Sequence, residues 1–164
     1  AAYYRVQVTN AETGLIKVED FWISGDIQMT GSFVFNTEKE SKEGLFTYYA
    51  KDGDIESEVT YLKGEKHGVE KEWYGLDSLM STQNYTEGAL EGQSLWFYKS
   101  GRLKEQVVYK EDAIIDVSTS WFETGVIQSI KKCNKFNLDS IYYWYENGDK
   151  RLEGSLLSTS YELL

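Results

Sequence analysis

The sequence has no proline, only two methionines, and only one cysteine and one histidine, two residue types that are common in catalytic sites. Without proline, the turns depend on residues that tolerate positive φ, and 14 glycines are present for this purpose. A single cysteine excludes a disulfide within the chain and leaves the redox compartment undecided. No run of about 20 apolar residues occurs, so no segment is typical of a membrane-spanning helix.

Positive charge is also scarce. The chain has 17 basic and 27 acidic residues, a formal net charge of −10 and a pI of about 4.6. Such a chain is repelled by phosphate backbones and anionic lipids, so we expect no nucleic-acid binding and no binding to anionic membranes. A neutral or basic partner fits the charge better. The sequence begins "AAYYRV" without methionine, which predicts a processed or trimmed N-terminus.

Aromatic residues are abundant instead. The chain has 13 tyrosines, 7 phenylalanines and 5 tryptophans, and these residue types favour strands over helices. Together with the many glycines, they predict a β-rich protein with short hairpins.

A tandem repeat organises the aromatic residues. Six turn residues serve as anchors and follow one another at intervals of 28, 24, 24, 24 and 23 residues: Gly25, Gly53, Asp77, Gly101, Gly125 and Gly148. An aromatic residue stands four positions before every anchor: Phe21, Tyr49, Trp73, Phe97, Trp121 and Trp144. A fixed aromatic position in all six copies indicates a repeated structural unit.

Each copy is predicted to form a two-stranded antiparallel hairpin with its anchor in the turn. The predicted fold is therefore all-β, an elongated single-layer antiparallel β-meander or solenoid of about six hairpins with twelve strands. We expect a capping segment at 1–20, the repeats at 21–156 and a C-terminal tail at 157–164. The predicted copies are 21–43, 44–67, 68–91, 92–115, 116–139 and 140–156.

Three stretches carry a resemblance to a known family: "FTYYAKDGDIESEVTYLKGEKHG", "LWFYKSGRLKEQVVYKE" and "YYWYENGDKRLEG". Their aromatic pair, Asn/Asp-Gly turn, apolar residue, tyrosine and glycine-spaced linker resemble the MORN-repeat variant of bacterial proteins often described as antitoxin-like. The resemblance covers about residues 21–156 and implies a non-catalytic, protein-binding role. The N-terminal stretch also resembles the start of exported envelope proteins, which implies a periplasmic or cell-surface setting, although a cytoplasmic one stays open.

Two aromatic rows follow from the repeat, because adjacent residues of a strand point to opposite faces. We expect the row four positions before the anchors to be buried. The row three positions before them, richer in tyrosine, is predicted to be more exposed and to form a partner-binding track. Its predicted binding residues are Trp22, Tyr74, Tyr98, Phe122 and Tyr145. The alternative is that both rows belong to the core.

The sequence offers no catalytic constellation. His67 and Cys133 are too far apart along the repeat to form a nucleophilic dyad, so His67 is read as a solvated turn residue and Cys133 as a buried apolar filler. The carboxylate pairs Glu56/Glu58 and Glu70/Glu72 are read as a solvated outer face. We therefore expect no catalytic residues, no metal site and no cofactor.

Two functional hypotheses of different classes are compatible with these features. The first is a non-catalytic scaffold for protein–protein interaction. The second is an envelope carbohydrate-binding module that stacks sugar rings on the aromatic track.

Overall fold

The computed structural model of the chain describes residues 3–35, 40–134 and 137–155, and these residues form fifteen β-strands and no helix. The strands are β1 (Tyr3–Thr9), β2 (Leu15–Trp22), β3 (Ile27–Phe35), β4 (Glu40–Lys42), β5 (Gly44–Tyr49), β6 (Ile55–Leu62), β7 (Glu65–Trp73), β8 (Leu79–Thr86), β9 (Ala89–Leu90), β10 (Gly92–Phe97), β11 (Leu103–Lys110), β12 (Ala113–Trp121), β13 (Ile127–Asn134), β14 (Asn137–Trp144) and β15 (Lys150–Ser155).

All fifteen strands belong to one open antiparallel sheet in which strand order follows chain order. The short strands β4 and β9 lie off this path and pair with β3 and β8. The predicted all-β class and the meander of hairpins are confirmed. The strand number exceeds the predicted twelve by three. One extra strand is β1, which precedes the first repeat. The other two are the short strands β4 and β9, which lie just before the first strands of hairpins two and four.

The six anchors lie in the turns of six hairpins, which we number one to six in chain order: β2–β3, β5–β6, β7–β8, β10–β11, β12–β13 and β14–β15. In hairpin four, the Gly101 amide donates to the Tyr98 carbonyl at 2.8 Å, and the Tyr98 amide donates to the Arg102 carbonyl at 2.8 Å. Gly101 has a φ of 81°, so this turn is a three-residue loop closed by a residue in the left-handed region. The turn of hairpin three has a different backbone conformation, because Leu76 (φ 48°) and Asp77 (φ 58°) both adopt positive φ after Gly75.

Each of the six hairpins carries a β-bulge at the same place, three residues after its anchor. In hairpin two, Tyr48 pairs with Ser57 and Tyr49 pairs with Ile55, which leaves Glu56 as the extra residue. The equivalent extra residues are Gln28, Glu56, Met80, Lys104, Gln128 and Arg151. The bulge changes which residues of the second strand share a face.

One face of the sheet, here called the core face, contains most of the buried residues. Because paired residues lie on the same face, the strand registers trace one row of this face across the sheet: Asp20, Met29, Tyr48, Ser57, Glu72, Ser81, Trp96, Glu105, Ser120, Ser129, Tyr143 and Leu152. Its apolar part is a cluster of Val18, Met29, Phe46 and Val59 in hairpins one and two.

The buried positions of hairpins four to six are mostly serines: Ser94, Ser118, Ser129 and Ser140. The prediction that the aromatic row four positions before the anchors forms the buried side is wrong. None of its members is fully buried: all six are half-buried.

The predicted boundaries of the six copies stay predictions. The segment 1–20 contributes β1 and most of β2 to the sheet. The predicted tail at 157–164 lies outside the described residues.

Candidate functional site

The five predicted binding residues all lie beside the anchor turns, along the edge of the sheet that these turns form. Tyr74 and Tyr145 are exposed, whereas Trp22, Tyr98 and Phe122 are half-buried. The structure places them in corresponding positions of hairpins one, three, four, five and six, whereas hairpin two has Ala50 at this position. Their role in binding stays a prediction.

Two of these tyrosines also connect neighbouring hairpins. The Tyr74 hydroxyl donates to the Phe97 carbonyl at 2.9 Å, and the Tyr98 hydroxyl donates to the Trp121 carbonyl at 2.8 Å. Burial raises the pKa of the Tyr98 phenol. The hydroxyls of Tyr74 and Tyr98 therefore join neighbouring hairpins, in addition to any binding function of their rings.

Other side chains strengthen the same edge. Ser78 donates its hydroxyl to the Lys99 carbonyl at 2.9 Å, and Arg102 donates to the Glu123 carbonyl at 2.7 Å. The Asp54 carboxylate accepts the Leu76 amide at 2.9 Å. Each anchor turn from the second to the fourth is thus bonded to the next one along the sheet.

The interpretations of His67 as a solvated turn residue and of Cys133 as a buried residue are wrong. His67 lies inside β7 and is half-buried, and its Nδ1 is buried with no hydrogen-bond partner in the described part of the chain. Cys133 is half-buried in β13 rather than fully buried. Five strand spacings separate β7 from β13 along the sheet, about 24 Å, so the two side chains do not meet.

The reading of Glu70 as a solvated residue is also wrong. Glu70 is only 8% exposed, because it lies on the core face beneath Lys66. The Lys66 ammonium donates to both carboxylate oxygens at 2.7 Å. Burial lowers the pKa of Lys66, but the hydrogen bond and attraction to Glu70 outweigh this effect and raise it overall.

A depression lies on the core face between hairpins two and three. We call it the acidic groove. It has a volume of about 440 Å³ and is lined by Tyr48, Glu56, Ser57, Glu72, Trp73 and Met80. Two aromatic rings and two carboxylates therefore converge on one space.

The bulges build this groove. Glu56 and Met80 are the extra residues of hairpins two and three, and both line it beside the regular core-face residues Tyr48 and Glu72. Glu72 accepts the Ser81 hydroxyl at 2.8 Å, which orients its carboxylate. Alternation in the sequence gives no signal for these bulges, and therefore none for the groove that they line.

A smaller depression of about 120 Å³ continues the groove toward the anchor turns. It shares Glu56 and Trp73 with the groove and adds the predicted binding residue Tyr74. Asp52 and Asp54 also line it, and no lysine or arginine among the described residues lines either depression. The two depressions together form a negatively charged surface with aromatic walls, suited to a cationic group.

Hydrogen bonding fixes one aromatic wall of the groove. The Tyr48 hydroxyl accepts the Lys42 ammonium at 2.8 Å, and burial raises the pKa of the Tyr48 phenol. The Lys42 ammonium also lies 4.5 Å from the centre of the Tyr61 ring. Lys42 therefore orients the Tyr48 ring.

Within residues 3–35, 40–134 and 137–155, no group of three or more His, Cys, Asp or Glu side chains could hold a metal ion. No helix in the same residues is long and apolar enough to cross a membrane.

Comparison with known proteins gives one family match. The model of the MORN repeat variant matches residues 42–63 and 90–111, which contain the turns and bulges of hairpins two and four. No match was found among the curated proteins or among the solved structures. Two segments of this chain are therefore similar to the MORN repeat variant, and the single open sheet of antiparallel hairpins is consistent with such repeats.

Proposed function

We propose that this protein is a non-catalytic scaffold that binds a neutral or basic protein through the acidic groove and the neighbouring aromatic edge. The observation that carries the proposal is the convergence of Trp73, Tyr74 and Tyr48 with Glu56 and Glu72 between hairpins two and three. MORN repeats in general are associated with interactions with proteins or membranes and are typically non-enzymatic. The net charge of −10 favours a protein surface over an anionic membrane.

The geometry fits the insertion of a lysine or arginine side chain. Aromatic faces attract such cations, and the carboxylates supply hydrogen-bond acceptors. Interface energy concentrates in a few aromatic or arginine anchors worth roughly 2 kcal/mol or more each. The five residues predicted from the sequence, Trp22, Tyr74, Tyr98, Phe122 and Tyr145, extend the same surface along the anchor turns.

The resemblance to antitoxin-like proteins supports a partner whose activity the scaffold restrains, and the resemblance to envelope proteins supports a periplasmic or cell-surface setting. Both belong to the proposal. A glycan is the second candidate ligand, since an aromatic ring flanked by carboxylate and hydroxyl groups also suits a sugar.

Capture of partners from the source organism, followed by titration at two ionic strengths, tests the proposal. Glu56→Gln with Glu72→Gln should weaken a basic partner by roughly tenfold and flatten the salt dependence of association. Glu58→Gln is the matched control, because Glu58 pairs with Thr47 and Lys71 on the opposite face.

Tyr74→Phe and Tyr74→Ser separate structure from binding. The phenylalanine variant loses only the hydroxyl that bonds the Phe97 carbonyl, whereas the serine variant also loses the ring. We expect the serine variant alone to lose affinity. A captured ligand with no salt dependence would favour the glycan, and unchanged affinity in all groove variants would refute the site.

A further inference from the structure

The strand β1 differs from the other long strands in its exposure. All seven of its residues are exposed, including Tyr3, Tyr4, Val6 and Val8 at 48–66%. It pairs with β2 on one side, and no described strand pairs with its other side. A free edge of this length presents a row of backbone donors and acceptors to any extended strand.

Natural sheets usually protect such edges with charge, proline or irregular backbone. The strand at the other end of the sheet, β15, follows this rule, since it carries Lys150, Arg151 and Glu153. In β1 the single charged residue is Arg5. Its guanidinium donates to both Asp20 oxygens at 2.7 and 2.9 Å, so this charge is engaged within the molecule.

The sequence of β1, YYRVQVT, is self-complementary about Val6. In an antiparallel pair of two copies with the two-fold axis at Val6, the two Val6 residues lie opposite each other. Tyr4 of each copy then lies opposite Val8 of the other, which makes three apolar cross-strand pairs on one face. On the other face, Arg5 lies opposite Gln7, and no like charges meet.

We propose that β1 pairs antiparallel with β1 of a second copy of this chain, with the axis at Val6, to give a two-fold dimer whose sheet runs continuously through both copies. Such an interface repeats the same surface on both subunits and closes without forming a filament. It is small, so the dissociation constant is expected in the micromolar range.

Sedimentation velocity over a range of concentrations tests the dimer. Val6→Lys places two ammonium groups opposite each other at the axis and should weaken dimerisation by roughly tenfold or more. Leu152→Lys is the matched control, since it adds the same charge to an exposed position of β15 and should leave the dimer intact. Wild-type protein that sediments as a monomer at all concentrations would overturn the proposal.

Cross-linking tests the register independently of charge. In a Cys133→Ser background, Val6→Cys should form a disulfide-linked dimer under oxidation, because directly opposed residues lie within disulfide reach. Val8→Cys is the control, since two such residues would be about 13 Å apart in this register. Equal cross-linking of both variants, or cross-linking of Val8→Cys alone, would refute the axis at Val6.

Discussion

Small residues on the core face decide how closely neighbouring strands and side chains approach. Gly31 shows this most clearly, because a Cβ atom built on it would lie 2.4 Å from the Phe46 ring. Phe46 is fully buried and sits at the centre of the apolar cluster, in contact with Phe33 and Tyr61. The ring therefore occupies the space that a side chain at position 31 would need.

Gly31→Ala should destabilise the fold by about 1–3 kcal/mol, since overpacking a buried ring forces it from its place. Gly154→Ala is the matched control at the same repeat position of hairpin six, where the added Cβ would meet the Ile141 methyl at an ordinary 3.7 Å. Urea denaturation of both variants measures the difference. Equal stability of the two would contradict the packing of Phe46 against Gly31.

The tyrosine-to-carbonyl bonds of the anchor edge end at hairpin five, where Phe122 takes the place of Tyr98. Phe122→Tyr should add a hydroxyl within reach of the Trp144 carbonyl and stabilise the protein by about 0.5–1 kcal/mol. Tyr98→Phe should cost a similar amount by removing the bond to Trp121. Thermal or urea unfolding checks both changes, and a destabilising Phe122→Tyr would show that hairpins five and six are arranged differently from hairpins four and five.

At the scale of the element, β7 shows how a strand that reads as polar is built into the core face. There the Lys66 ammonium donates a hydrogen bond to the Glu70 carboxylate. The same ammonium lies 4.7 Å from the ring centre of Tyr85 on the neighbouring strand. Burial, with the nearby Glu70 charge, raises the pKa of Tyr85. The pKa of Lys66 is raised above its ordinary 10.5.

These pKa shifts predict a loss of stability at alkaline pH. Folding favours the protonated forms of Lys66 and Tyr85, so their stabilisation is complete below the pKa values of the unfolded chain and falls as pH rises through those of the folded one. Unfolding free energy should therefore decline above about pH 10. Tyr85→Phe with Glu70→Gln should flatten this decline, and an unchanged pH profile would contradict the assignment.

The sequence predicts the hairpins well and their faces poorly. The anchors locate the turns because each turn needs a residue with positive φ, and glycines such as Gly25 and Gly101 mark these positions in the sequence. The faces depend on the bulge three residues later, which has no fixed residue type: Gln28, Glu56, Met80 and Lys104 all occupy it. Alternation therefore fails along the second strands, and the acidic groove, which is lined by the neighbouring bulge residues Glu56 and Met80, has no signature in the chain. The wrong aromatic row has a different cause, because residue type alone does not show which face of the first strand is buried.

At the scale of the whole molecule, stability is unevenly distributed along the sheet. The apolar cluster lies in hairpins one and two, whereas the buried positions of hairpins four to six are mostly serines. In a repeat protein, the stability of each unit comes from its own internal contacts and from its contacts with the adjacent units. Local opening should therefore be easiest near the C-terminal end.

Hydrogen exchange measures this gradient. Backbone amides of β12, β13 and β14 should exchange faster than those of β5, β6 and β7, because less apolar area holds them closed. The Gly31→Ala variant should reduce the difference by weakening the protected end. Uniform protection along the sheet would show that backbone pairing, and not the apolar cluster, sets local stability.

The match between strand order and chain order bears on how the protein is made. As the chain leaves the ribosome, each new long strand finds its partner already in place as the outermost strand, so the sheet can grow by one strand at a time. The apolar cluster emerges before the serine-lined hairpins and can serve as a stable base for them. Each long strand can therefore pair as soon as it is synthesised, because its partner is the preceding long strand of the chain.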